Sequence, residues 1–448
     1  MGLDTIFSTT PSNQSQNKDY SDLDHSTLIV DKRLVLSHQD VMLPSTSTDE
    51  LSSNTIDSSG FNISWNTNFS SHSSPMPTQM DLPAEGFVRQ LIEIYLVNIN
   101  SILPLFDPQA INQAVEEWYN RPSQRSRTVW AMINMIMANA QYCNFGQVGA
   151  GIDHVDFSIG SVTDCLSKAQ SVLSDILMGD VELANLQVLL GLVIVFQNTP
   201  DIRPAVYLIS TALRLCQLLG IHRSDSDFYS NATPREALQM RRVFWIAYIL
   251  DRGIAMRIRQ PPIQQDTDIN IEMPARKPDE DTAGFVSTPE LYNSGFNLFR
   301  AYVELSQIQG HVYDALFSLR SQQLTPSERA ARCQTIRLSL KEWKLRMPKI
   351  LGAEAVAQSQ NCLPCIPKFL CTMYGIVVAC LGQLCHVNSM DFQWIDQLRT
   401  YGRSITLGLG EPCLPPPQPQ GWNALVNECR EFMSLFVSIK DKSAAFIW

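Results

Sequence analysis

The chain is 448 residues long and 45% apolar, which suffices for one large helical domain or a few ordinary ones and excludes a chain disordered throughout. Lys plus Arg number 34 against 44 Asp plus Glu, a net charge of −10, so the field of the whole molecule repels phosphate backbones and any nucleic-acid contact falls to a local patch or a partner. The 11 cysteines begin only at Cys143 and sit mostly in apolar runs, the usage of reduced, buried thiols in an intracellular protein rather than of a secreted disulfide framework.

The amino terminus, MGLDTIFSTTPSNQSQ, carries neither a basic region nor an apolar run, so no signal peptide is read, and Ile6 stands where myristoylation requires Ser or Thr. Residues 1–82 are rich in Ser, Thr, Asn, Asp and Gln and are expected to be disordered, because they bury too little to offset chain entropy. Two islands within them, TLIVDKRLVL (27–36) and SGFNISWNTNF (59–69), read as linker in preference to docking or activation segments. From Glu85 the pattern turns helical. Phe87, Val88, Leu91, Ile94, Tyr95 and Val97 keep close to the three-and-four spacing of an amphipathic helix, and Pro104 and Pro108 mark the turn that follows. Further helical runs are predicted near 110–119, 127–142, 161–178, 182–197, 204–219, 235–258, 289–320, 326–346, 368–387 and 422–439. Period-two alternation never persists, so the fold class is all-α, a large multi-helix domain of packed helix pairs over 83–390 with a helical extension over 391–448. Irregular connections fall at 261–285 and, stiffened by proline, at 408–421.

The stretch RRVFWIAYILDRGIAMRIRQPPIQQDTDINIEMP (241–274) sets eight apolar residues between an arginine pair and Asp251-Arg252. Val243 to Leu250 is too short for a membrane span, and Arg241, Arg242, Arg252, Arg257 and Arg259 flank an all-round apolar segment instead of forming a basic face. A buried helix with charged ends is therefore expected. Trp245 and Tyr248, three apart, should lie on neighbouring parts of one side, and Arg241 or Arg242 should pair with Asp266 or Asp268 beyond the Pro261-Pro262 turn.

The order Arg241-Arg242, Phe244-Trp245, Tyr248, Leu250-Asp251-Arg252, Pro261-Pro262 and Gln265-Asp266-x-Asp268-Ile269 resembles the signature of the fungal-specific transcription factor domain, the middle homology region of binuclear zinc cluster regulators. LIEIYLVNINSILPLFDP (91–108), AVYLISTALRLCQLLGIHRSD (205–225), LKEWKLRMPKIL (340–351) and CTMYGIVVACLGQL (371–384) are similar to other segments of that family and fall in its order, so the resemblance covers roughly 85–390. Arg259-Gln260-Pro261 departs from the family's usual Gly-Arg-Pro, which predicts a turn built differently. A second departure is larger. No cysteine precedes Cys143, so the array of a zinc cluster is missing from its usual place upstream of the helical region.

Other patterns in the chain bear on chemistry. Cys362-x2-Cys365 with Cys371, Cys380 and Cys385 has a superficial zinc-ligand spacing but lies in apolar sequence, where buried structural cysteines are expected. The same helix has the length of a membrane span, yet Lys368, Thr372, Gln383 and His386 favour a core helix. His222-Arg223-x-Asp225 lacks the glycine-rich loop and lysine of a kinase, and Asp153-His154-Val155-Asp156 reads as a solvated loop. No hydrolase, metalloprotease, phosphate-loop or dinucleotide motif appears, and no catalytic residue, metal or cofactor is assigned.

The resemblance implies a nuclear transcriptional regulator that works through its helical domain, responds in some family members to a small-molecule effector, and here relies on a DNA-bound transcription factor or co-regulator as partner, as a homodimer or heterodimer. No specific DNA binding by this chain and no membrane association are expected. The competing readings are a helical scaffold redeployed as a biosynthetic enzyme, since fold does not fix function, and a gene whose zinc cluster is encoded upstream of Met1.

Overall fold

The computed structural model describes residues 80–144, 159–277, 281–286, 295–358, 365–389, 392–407, 418 and 421–440. The Ser/Thr-rich segment up to residue 79, the Asp153–Asp156 loop and Cys362 lie outside the described residues. At the start of the described chain Met80 and Leu82 rest on the core, and the carbonyl of Asp81 accepts from the Trp130 indole at 3.1 Å.

Helices dominate. They are α1 (Glu85–Tyr95), α2 (Pro108–Asn120), α3 (Arg127–Asn144), α4 (Ile159–Gln170), α5 (Leu173–Met178), α6 (Leu183–Phe196), α7 (Arg203–Leu219), α8 (Asp227–Asn231), α9 (Pro234–Ile258), α10 (Leu298–Leu316), α11 (Leu319–Gln322), α12 (Pro326–Arg346), α13 (Ala353–Gln358), α14 (Cys365–Ser389), α15 (Phe392–Leu407) and α16 (Trp422–Lys440). A two-residue antiparallel pair, β1 (Phe285–Val286) with β2 (Phe296–Asn297), precedes α10 and matches Phe285 to Asn297 and Val286 to Phe296. The helical run expected over 289–320 is shorter, because Asn297 caps α10 by accepting from the Arg300 amide at 2.9 Å and so fixes its start. α15 was not picked out as a separate helix by apolar spacing.

Local chemistry sets the ends of the long helices. Thr233 and Thr325 each form a capping box with the Glu three residues on, and Pro234 and Pro326 occupy the first turn, where a missing N–H costs nothing. After α1 the chain widens into a π-turn over Leu96–Asn100. The Asn100 amide then bonds both backbone groups of Phe106 at 2.9 Å, closing the proline turn that the sequence marks.

α6 is buried on every side from Asn185 to Phe196, which makes it a central rod for which amphipathic spacing carries no information. α3 and α7 pack on it, α9 packs on α7, and α10 lies between α9 and a second group formed by α12, α14 and α16. The apolar stretch Cys365–Cys385 of α14 is long and apolar enough to cross a membrane by composition alone, but it packs against α10, α12, α13 and α16, and buried Lys368 donates to the Cys143 carbonyl at 3.0 Å. Burial pushes the thiols of Cys371 to about 11 and Cys380 to about 12, so both are neutral side chains of this packed helix.

Candidate functional site

Residues 241–274 form a helix and the strand of chain that returns along it. Val243 to Arg252 are buried without interruption on α9. Near the helix start, Gln239 donates to the carbonyls of Pro104 (3.1 Å) and Leu105 (2.8 Å), and Gln187 of α6 also reaches Leu105 at 2.6 Å. The α1–α2 turn is thereby fixed to α9 and α6.

At the other end, buried Asp251 accepts from the amides of Ile263 and Gln264 at 3.0 and 3.2 Å, directly after Pro261 and buried Pro262. Arg252 donates to the Gln264 carbonyl and to Asp266 Oδ1, both at 2.8 Å. Its guanidinium also lies 4.5 Å from the centre of the Tyr248 ring, and the Tyr248 hydroxyl donates to the same Asp266 oxygen at 2.7 Å. One acid grips backbone N–H groups while one base grips a carbonyl and a carboxylate, so the turn is held from both polarities. Burial raises the Asp251 carboxyl to about 6, a shift that its two amide donors and Arg252 oppose.

Trp245 is 3% exposed, its indole donates to the Glu272 carbonyl at 2.8 Å, and its ring meets those of Phe244 and Tyr248 edge-on at 5.3 Å each. The expected juxtaposition of Trp245 and Tyr248 is present. The expected arginine partners are not. Arg241 pairs with Glu272, and Arg242 pairs with Asp281, a carboxylate with 6% of its side chain exposed, while Asp266 serves Arg252. Asp268 is exposed and makes no ion pair among the described residues. The reason is direction: the chain reverses after α9, so the first residues past the proline pair meet the helix's last turns and only later ones reach its start, roughly 15 Å away at 1.5 Å per residue.

The missing glycine has an unexpected outcome. Arg259 caps α9 in the left-handed conformation, with φ 55° and ψ 38°, and among the described residues it is the only residue other than glycine with positive φ. The turn keeps the backbone a glycine would adopt and accepts the steric cost of a side chain there. That side chain lies over the Phe317 ring, 5.6 Å from its centre.

On the side of α9 that carries Gly253 and Arg257 there is a cavity of roughly 540 Å³, bounded by α10, α14, α16 and the α6–α7 turn. A Cβ on Gly253 would meet nothing within 4 Å, so that glycine leaves open space beside a helix that is otherwise tightly packed. Opposite it, a Cβ on Gly375 of α14 would come within 3.3 Å of the Phe432 ring of α16, so that glycine lets the two helices close on one another. Gln309 of α10 is buried at the cavity wall, and its Oε1 has no hydrogen-bond partner. Sequence reasoning missed this cavity; its only local signal was a glycine inside each of two long helical runs.

Comparison with known proteins gives a consistent picture. Residues 92–345, more than half of the chain, match the profile of the family described as "Fungal specific transcription factor domain". The chain is similar to the ABC-transporter-regulating transcription factor of Aspergillus oryzae, at 32% identity over 60% of this chain and 29% of that protein. It is also similar to the Fusaridione A cluster transcription factor of Fusarium heterosporum, at 24% identity over 62% of this chain and 51% of that protein. A third relative, the transcriptional activator protein acu-15 of Neurospora crassa, is 24% identical over 56% of this chain and 27% of its own length. These matches thus span about half or less of each relative. No solved structure matches the chain. The matched region ends with α12, so the cavity is built partly from it, through α9, α10 and the α6–α7 turn, and partly from α14 and α16 beyond it.

Proposed function

This chain belongs to the fungal-specific transcription factor domain family, and from that premise we propose that it is a transcriptional regulator whose helical unit is the regulatory element. The observation that supports this most is the convergence of the family signature on one structural unit: Tyr248, Asp251, Arg252 and Asp266 lock the returning chain to α9. In this reading the lock holds one of two packings of the helices. A ligand or partner then changes output by as much as its affinity differs between packings.

In this reading the chain works in the nucleus through a DNA-bound transcription factor or co-regulator, as homodimer or heterodimer, on a metabolic or biosynthetic gene set. The net charge of −10 favours recruitment by protein contacts over direct phosphate binding. The test is to fuse the full chain to a heterologous DNA-binding module in a fungal reporter strain. A change in reporter output of about fivefold or more over the module alone supports the reading, and output equal to that of the module contradicts it.

A further inference from the structure

We infer that the cavity between α9, α10, α14 and α16 binds an amphipathic organic anion, an apolar chain or ring system carrying one carboxylate. The inference names the effector class for the regulatory reading above, and in its consequence for transcription, though not in binding itself, it rests on that reading.

The volume, roughly 540 Å³, falls in the range of small-molecule sites, which are mostly apolar with a few placed polar groups. Ile254, Ile376, Phe432 and Phe436 supply apolar wall. Three observations then select the ligand. Among the described residues the charged side chains lining the cavity are Arg257 and Arg259, both exposed, and neither forms an ion pair with a carboxylate. Arg257 spends one nitrogen on the Gln197 carbonyl at 2.7 Å, which orients the guanidinium and leaves its other donors without a protein acceptor among the described residues.

Second, Gln309 is 4% exposed, and its side chain makes no hydrogen bond among the described residues. Its buried Oε1 is an acceptor that a carboxylate does not satisfy, but its Nε2 donates to no described residue and can serve a ligand oxygen. Third, Arg259 holds a left-handed backbone that most residues avoid, at the cavity mouth. That backbone closes α9 as its C-cap, and in doing so it sets the Arg259 side chain on the cavity lining. Among the described residues an apolar wall with two cations, no lining acid and an amide donor opposes a cationic amine and gives a neutral hydrocarbon no use for the polar groups.

Because α16 supplies part of the wall, occupancy would couple the C-terminal helices to α9 and α10. A ligand seated against Phe432 and Phe436 favours the packing in which α16 is closed over α14.

The test is calorimetric titration of the full chain with decanoate, decanol and decylammonium, all below their aggregation limits. Decanoate should bind, decanol about tenfold more weakly or less, and decylammonium not detectably. Arg257→Gln should abolish the preference for the carboxylate over the alcohol. Gly253→Leu, which places a side chain in space where a Cβ meets nothing, should abolish decanoate binding without lowering the melting temperature. Gln309→Leu should weaken decanoate binding and raise the melting temperature, the opposite of what general damage to the fold would do. Absence of decanoate binding, equal binding of the three probes, or binding by a folded Gly253→Leu chain would overturn the inference. If Gly253→Leu fails to fold, the Arg257→Gln and Gln309→Leu results decide. The outcomes separate this inference from the regulatory reading: a tethered chain that drives the reporter but binds no probe defeats the ligand class alone, whereas a chain that binds decanoate but leaves the reporter silent defeats the regulatory role alone.

Discussion

Tyr248 and Arg252, one turn apart on α9, close on the same oxygen of Asp266, at 2.7 and 2.8 Å, with the guanidinium lying over the phenol ring. The stacking and the shared acceptor make one unit of three side chains. Removing the hydroxyl by Tyr248→Phe should cost about 1–2 kcal/mol, discounted because the Asp266 side chain is 42% exposed. In urea melts, Tyr248→Phe and Asp266→Ala should couple by about 1 kcal/mol, since each leaves the other without its partner. Additive losses would mean that the shared oxygen contributes nothing beyond geometry.

Arg242 and Asp281 form a more enclosed pair, with 15% and 6% of their side chains exposed. Reversing one charge by Arg242→Glu should destabilise the fold by about 3–5 kcal/mol. Adding Asp281→Arg should recover part of that loss, and adding Asp266→Arg or Asp268→Arg should not. Recovery through Asp266 or Asp268 would contradict the chain direction described above.

Asp251 makes stability depend on pH in a defined sense. Its carboxyl is raised in the fold from an ordinary value of 3.8 to about 6, so the folded state binds its proton more tightly than the unfolded chain does. The associated stabilisation is full below about pH 4 and is lost as pH rises through about 6, amounting to about 3 kcal/mol. An Asp251→Asn chain lacks this titration. The stability difference between the two chains should therefore drift against the natural chain between pH 4 and 7, and a difference that stays constant across that window would show the carboxyl to titrate normally.

Arg259 offers a separation of backbone from side chain. Ala and Gly both delete the contact with Phe317, but only Gly relieves the left-handed backbone. Thermal melts should place Arg259→Gly about 1 kcal/mol above Arg259→Ala. Equal melts would show that the conformation carries no strain.

What was legible in the sequence followed from local rules. The apolar run from Val243 to Leu250 reads as a buried helix because its charges lie only at its ends. The partners of Arg241 and Arg242 were not legible, since pairing depends on which way the chain runs after Pro262, and no residue type in the turn encodes that direction. The start of α10 was misplaced because Asn297 acts as a cap only once β1 and β2 bring it into position. The cavity was hidden for a related reason. Gly253, Gln309 and Phe432 come from three helices far apart in sequence and share no spacing that could announce a site.

If the helical unit regulates transcription through the packing around this cavity, filling the cavity in the working protein changes its output. The full chain carrying Gly253→Leu, fused to a heterologous DNA-binding module, should shift reporter output by about fivefold or more relative to the unsubstituted fusion at equal protein level and equal melting temperature. Identical output from the two fusions, with both folded and both driving the reporter, would show that the cavity has no part in regulation.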